Sequence, residues 1–249
     1  MQEKEYSYKK TNKIKTLWQL LYLGFLVTKY AFKGSRIYKK QGARAYISNI
    51  KAWGMETINT VGIKLIVEGR ENVKSGESYV YIANHTSLLD IPILIEAIPD
   101  YIHFMYKYEL EKVPILGYGL RNSPFIPIKR ENPKDAMSSI NEAAEAINKT
   151  GSVVLFPEGT RSTTGEVGIF KRGAFVLASK TKKKIIPIAI IGVDKILPPK
   201  KFNINSGNVK VIIYPPVAEI PENRLEMKKI LIELNNKIAN SVKYEREKM

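Results

Sequence analysis

From residue 62 onward, short apolar runs alternate with amphipathic stretches, and the two periods separate cleanly. Ile63 to Glu68 alternates as a strand. Tyr79 to Ala83, Tyr101 to Tyr106, Ser152 to Phe156 and Val209 to Tyr214 are apolar runs of strand length. Ile185 to Ile191 reads as a strand interrupted by Pro187, and Phe125 to Ile128, which contains Pro127, suits an edge or the end of a sheet. Between the runs lie helical patterns. Asp90 to Ala97 carries Pro92 in its first turn. Asn132 caps a helix that begins with Pro133 and shows Ile140, Ala143, Ala144 and Ile147 on one face. Lys171 to Lys182 is helical. The tail from Pro221 aligns Met227, Leu231, Leu234, Ile238 and Val242. Glu109 to Leu120 contains Pro114, Gly117 and Gly119, so it predicts a broken helix or a loop. Strands alternating with helices predict an α/β domain over residues 61–249, a mixed sheet flanked by helices.

Residues 1–60 have a different pattern. Leu17 to Phe32 is an apolar helix of roughly 24 Å, against a hydrocarbon core of about 30 Å, and Lys29 interrupts it. Lys13 and Lys15 precede this run, yet no small-residue cleavage site follows it. Gly34 and Ser35 predict a break. A second helix then places Tyr46, Ile50, Trp53 and Thr57 on one stripe, with Ile47, Gly54 and Ile58 beside it. The expectation is a separate two-helix motif, an amphipathic hairpin lying in a membrane interface. The plainer alternative is a helical pair packed on the soluble core.

Charge sharpens this reading. The chain has a net charge of +16, and residues 1–60 hold 12 Lys/Arg against three acids. The partner is therefore anionic: nucleic acid, an acidic membrane surface or a phosphorylated substrate. No nucleic-acid-binding module is recognisable, and the cations surround apolar helices, so nucleic acid is not expected. There is no cysteine, which excludes disulfides, thiolate nucleophiles and cysteine metal sites. With two histidines, a histidine-based metal site is not expected either.

Two stretches carry candidate chemistry. The first is Asn84-His85-Thr86-Ser87-Leu88-Leu89-Asp90, between a strand and a helix. A carboxylate five residues after the histidine can fold back onto the ring, fix its tautomer and stabilise the imidazolium. His85 and Asp90 thus form a base-plus-orienter pair suited to deprotonating a hydroxyl. The second stretch is Phe156-Pro157-Glu158-Gly159-Thr160-Arg161-Ser162, at the end of another strand. Gly159 permits a tight turn, and its amide with that of Thr160 can face an oxyanion or a phosphate. Arg161 offers a planar fork that matches a phosphate. Glu158 beside it can bind a hydroxyl or hold the arginine.

Together the stretches resemble the glycerolipid acyltransferase family that includes the 1-acylglycerol-3-phosphate acyltransferases. The family's first block, N-H-x-S-x-x-D, is complete at 84–90, and its third, F-P-E-G-T-R-S, is complete at 156–162. The second block is partial: Arg130 matches, but Pro124 stands where glycine is usual and Lys129 where an acid is usual. Ile186-Pro187-Ile188 fits the fourth. The resemblance implies acyl transfer from an acyl-carrier-protein or coenzyme A thioester to the sn-2 hydroxyl of lysophosphatidic acid, giving phosphatidic acid. It implies His85 as general base, Asp90 as its orienter, and Arg161 and Arg130 holding the phosphate with Lys107 as a third cation. It further implies that Glu158 positions the glycerol backbone and Gly159 shapes the pocket, with no cofactor and no metal. The alternative acceptors are glycerol-3-phosphate, another lysophospholipid or an amino-acid lipid. The place of action implied is the cytoplasmic face of the inner membrane, reached through the N-terminal helices.

Overall fold

The structure is a computed structural model, and it describes residues 7–129, 132–198, 203–217 and 220–248. The strands are β1 (Tyr8–Lys9), β2 (Ile63–Glu68), β3 (Val80–Ala83), β4 (Ile102–Lys107), β5 (Ile126–Ile128), β6 (Ser152–Leu155), β7 (Ile185–Ile191) and β8 (Ser206–Ile213). The helices are α1 (Lys13–Val61), α2 (Asp90–Ala97), α3 (Leu116–Arg121), α4 (Pro133–Thr150), α5 (Gly173–Thr181), α6 (Val193–Ile196) and α7 (Arg224–Glu247). The sheet order is β1-β8-β7-β3-β6-β4-β5, with β2 also on β8. Strands β7, β3, β6, β4 and β5 run parallel, and β8 is antiparallel to β7, so the sheet is mixed as expected. One face is covered by the C-terminal part of α1 with α2 and α6; the other by α4, α5 and α7. The central strands are buried on both faces, which is why they read as continuous apolar runs.

Pro187 does not interrupt β7. Its carbonyl accepts from the Tyr214 amide at 3.0 Å, so its ring nitrogen also faces β8. There the neighbouring chain bulges between Ile213 and the next bridge at Val217, and only one bond of a pair is lost. Pro127 sits on β5, which is an edge as expected. The N-terminal region touches the sheet directly: Tyr8–Lys9 pairs with β8, and Ile58 of α1 belongs to the core.

The hairpin forms, but its break lies at Gly42 (φ 79°, ψ −173°), not at Gly34 and Ser35. Gly34 instead lets the two arms touch. A Cβ there would stand 2.5 Å from Asn49 Nδ2 and 2.7 Å from the Tyr46 ring. The buried side of the arms mixes Leu26, Tyr30 and Tyr46 with polar groups that find partners. Gln19 Nε2 donates to the Thr60 carbonyl at 3.0 Å, and Asn49 Nδ2 donates to the Tyr30 carbonyl at 3.2 Å. Glu56 accepts from Tyr22 (3.0 Å) and Tyr30 (2.7 Å) and pairs with Lys29 (2.9 Å). The outside of the first arm is apolar: Ile14, Leu17, Trp18, Leu21, Phe25 and Phe32 are all exposed, Trp18 by 69%. No helix among the described residues is long and apolar enough to cross a membrane.

The hydrogen bonds from Lys29 and Tyr30 hold the Glu56 carboxyl well below its usual range, at about 2. A depressed folded-state pKa stabilises the fold above the unfolded value, and that stability is lost as the pH falls toward the folded one. Urea unfolding of the wild type should therefore weaken more than that of Glu56→Gln as the pH drops from 4.5 to 2. Identical pH slopes for the two proteins would show that the seam carries no such contribution.

Candidate active site

The parallel pairing of β3 with β6 puts the chain that leaves each strand at the same edge of the sheet. Asn84, the first residue beyond β3, is buried and clasps the neighbouring strand. Its Nδ2 donates to the Ile190 carbonyl (2.9 Å), and its Oδ1 accepts from the Ile190 amide (2.7 Å). This side chain replaces a missing ladder rung and fixes where the next residue, His85, emerges.

The chain then turns into α2, whose first residue is Asp90. Its fully buried carboxylate gathers three donors on one oxygen: His85 Nδ1 at 2.7 Å, the Thr86 amide at 2.7 Å and the Ser87 amide at 2.8 Å. The two amides fix the carboxylate, and the carboxylate fixes the ring. With Nδ1–H directed at Asp90, Nε2 is left as the acceptor nitrogen. The ring lies flat on Phe156, with centroids 3.9 Å apart and planes at 14°, so the second motif supplies a platform for the first.

Glu158 joins the two motifs through the main chain. One oxygen accepts from the His85 amide at 2.7 Å, and the other from the Gly168 amide at 2.8 Å. The Ser162 amide adds a bond to the His85 carbonyl at 2.7 Å. Burial pushes the Glu158 carboxyl above its usual range, and the two amides oppose that shift. Neither of its oxygens bonds to Arg161. Among the described residues, Arg161 has no hydrogen bond or ion pair at all.

A cavity of about 530 Å³ opens beside the imidazole. Its lining joins the polar His85, Thr160, Arg161 and Lys107 and the backbone of Gly159 to the apolar and aromatic Val27, Tyr30, Tyr46, Trp53, Phe104 and Phe125. The cavity thus runs between the sheet edge and the underside of the hairpin. Lys107 is ion-paired with Glu109 at 3.0 Å. Gly159 adopts φ 75°, and its amide closes a turn onto the Phe156 carbonyl at 3.0 Å. Of the two amides considered for an anion, only that of Thr160 lacks an acceptor among the described residues. Arg130 lies outside the described residues. His103, the other histidine, is buried and bonds to the Pro124 carbonyl through Nδ1 at 2.8 Å, away from the site. No group of three or more metal-ligating side chains occurs among the described residues.

The structure therefore brings His85, Asp90, Glu158, Gly159, Thr160, Arg161 and Lys107 to one edge. Sequence reasoning missed the roles of Asn84, Phe156 and Gly168. Asn84 and Phe156 stood inside the two motifs. Gly168 stands outside them and gives no local signal.

An acyltransferase family model matches residues 64–191, just over half of the chain. The chloroplastic 1-acyl-sn-glycerol-3-phosphate acyltransferase of Arabidopsis thaliana is 38% identical over 156 residues, 62% of this chain and 44% of that one. The 1-acyl-sn-glycerol-3-phosphate acyltransferase of Saccharomyces cerevisiae is 34% identical over 161 residues, 64% of this chain and 53% of its own length. The chain thus spans about half the length of the curated relatives it matches. The crystal structure of the 1-acyl-sn-glycerophosphate acyltransferase PlsC from Thermotoga maritima superposes with a TM-score of 0.77 at 26% identity, covering 93% of this chain and 97% of that one. With its family-matched region spanning both motifs and the edge where they meet, the chain belongs to the acyltransferase family.

Proposed function

We propose that the protein is a 1-acyl-sn-glycerol-3-phosphate O-acyltransferase working at the cytoplasmic face of the inner membrane. One observation carries the reading. The His85 imidazole, held through Nδ1 by a buried Asp90 at 2.7 Å, stands in the same cavity wall as an unpaired Arg161. The base needs an acceptor nitrogen within reach of a hydroxyl, and the arginine supplies a fork for the acceptor's phosphate. Arg130 and Lys107 are the further cations of this reading. Both relatives named above, and PlsC, act on 1-acylglycerol phosphates by description.

In the reaction, Nε2 takes the proton of the sn-2 hydroxyl as its oxygen bonds to the thioester carbonyl carbon. The C–S bond then breaks, and the imidazolium returns the proton to the departing thiolate of an acyl carrier protein or coenzyme A. Asp90 stabilises the imidazolium in between. Direct transfer is favoured over an acyl-enzyme. Ser87 is buried, its hydroxyl oxygen accepts from the Leu89 amide at 3.3 Å, and it does not line the cavity. The apolar lining under the hairpin suits an acyl chain.

The hairpin supports a membrane setting because large apolar side chains, Ile14, Leu17, Trp18, Leu21, Phe25 and Phe32, stand exposed on its first arm. Anionic lipid adds about 1 kcal/mol for each Lys/Arg near the surface. Three experiments follow. Purified protein given lysophosphatidic acid and either thioester should form phosphatidic acid, and His85→Ala should lower kcat by about 10²–10⁴-fold while remaining folded. No product with either donor, or full turnover without His85, would overturn the reading. Arg161→Ala should lower kcat/KM for the acceptor by about tenfold or more and spare the donor; a loss confined to the thioester would remove its phosphate role. Replacing Trp18, Leu21 and Phe25 together with serine should weaken flotation with anionic vesicles. Unchanged flotation would place membrane binding elsewhere.

A further inference from the structure

We propose that Asn235, on the C-terminal helix α7, is a positioning residue for His85, acting through Gly168 and Glu158. The inference rests on the reading of His85 as the general base. Asn235 Nδ2 donates to the Gly168 carbonyl at 2.9 Å. The Gly168 amide donates to Glu158 at 2.8 Å, and the other oxygen of Glu158 accepts from the His85 amide at 2.7 Å. Three hydrogen bonds therefore connect Asn235 to the main chain that carries the imidazole, far upstream in the sequence. None of them touches Nε2.

The middle of this relay needs such support. The segment after the second motif is anchored only in part: Phe170 is buried and Val167 packs against the core, while Thr163, Thr164 and Glu166 are exposed and Ile169 is 84% exposed. Helix α7 adds a grip at two carbonyls. Besides Asn235, Arg246 Nη1 donates to the Gly165 carbonyl at 2.6 Å and pairs with Asp194 at 3.2 Å. The fit at Gly168 is tight, since a Cβ there would come within 2.8 Å of Glu158 Oε2. Glu158 itself is buried, so an oxygen that loses its amide donor incurs a desolvation cost. A carboxylate that shifts to recover a partner carries the His85 backbone with it. A base must lie within about 2.6–3.2 Å of the proton it takes, so a displacement well under 1 Å is felt in the rate.

Asn235→Asp keeps the shape of the side chain, removes its donor and sets an oxygen against the Gly168 carbonyl. The expected result is a fall in kcat of about tenfold with both KM values unchanged and a melting temperature close to wild type. Asn235→Ala should behave similarly. In a Glu158→Gln background, where the relay is already broken, adding Asn235→Asp should cost nothing further. An unchanged kcat, or the same fold-loss in both backgrounds, would overturn the proposal. Amide hydrogen exchange without substrate gives a second readout: in Asn235→Asp the His85 and Gly168 amides should exchange faster. Unchanged exchange at His85 would overturn the relay whatever the substrate. Faster exchange in the variant, in a protein that forms no phosphatidic acid, would retain the relay and reject the functional reading.

Discussion

Strands β3 and β6 lie side by side in parallel, Val80 against Val153 and Ile82 against Leu155. Each strand delivers one motif to the same edge, although about seventy residues separate the motifs in the chain. Everything at the site inherits its geometry from that ladder. A slip of one residue between the strands would move His85 by about 3.3 Å relative to Glu158. The bond that joins them measures 2.7 Å, as does that from the Ser162 amide to the His85 carbonyl, and each tolerates a few tenths of an ångström. The site exists only in one register.

That register is held at both ends of the strands. At the end away from the site, the Tyr79 amide donates to Ser152 Oγ at 2.9 Å, Ser152 Oγ donates to Asp100, and Tyr81 donates to the same carboxylate at 3.2 Å. At the site end, the His85 amide donates to Glu158 and the Ser162 amide to the His85 carbonyl, while Asn84 ties β3 to Ile190 of its other neighbour, β7. The apolar middle of the ladder would accept several registers. Polar side chains that find partners in only one of them select among these.

Much of this was legible because it depends on local period and on side-chain chemistry. The strands at Ile63–Glu68 and Ile185–Ile191 and the helix at Asp90–Ala97 fall where their patterns place them. The misread break at Gly34 and Ser35 has a tertiary cause. Small residues terminate helices in isolation, but they also permit close packing, and only the position of Asn49 and Tyr46 on the facing arm decides which role applies. β1 is two residues long and owes its existence to β8, so no local period marks it. The partners of Glu158 were hidden for a further reason. A carboxylate beside an arginine suggests an ion pair, whereas its actual partners are backbone amides, which have no sequence identity. Main-chain partnerships are the part of a site that residue types reveal least.

The exposed apolar side of the hairpin and the cavity meet in one helix, and under the proposed function that juxtaposition has a thermodynamic consequence. The first arm of α1 presents Trp18, Leu21 and Phe25 outward and contributes Val27, Tyr30 and Ala31 to the cavity wall. Carrying an acyl chain from a bilayer to a buried site through water would cost about 0.8 kcal/mol for each methylene exposed on the way. For a chain of many methylenes that barrier exceeds what any single contact at the phosphate end could offset. A helix whose outer side suits lipid and whose inner side lines the acceptor's cavity shortens that exposure, because both ends of the path are apolar. The head group faces the opposite requirement. Its charge stays hydrated until it meets Arg161, an exposed side chain with no protein partner among the described residues. The polar and apolar halves of one amphipathic substrate are thus met by separate surfaces, and the imidazole stands in the wall where the two surfaces join.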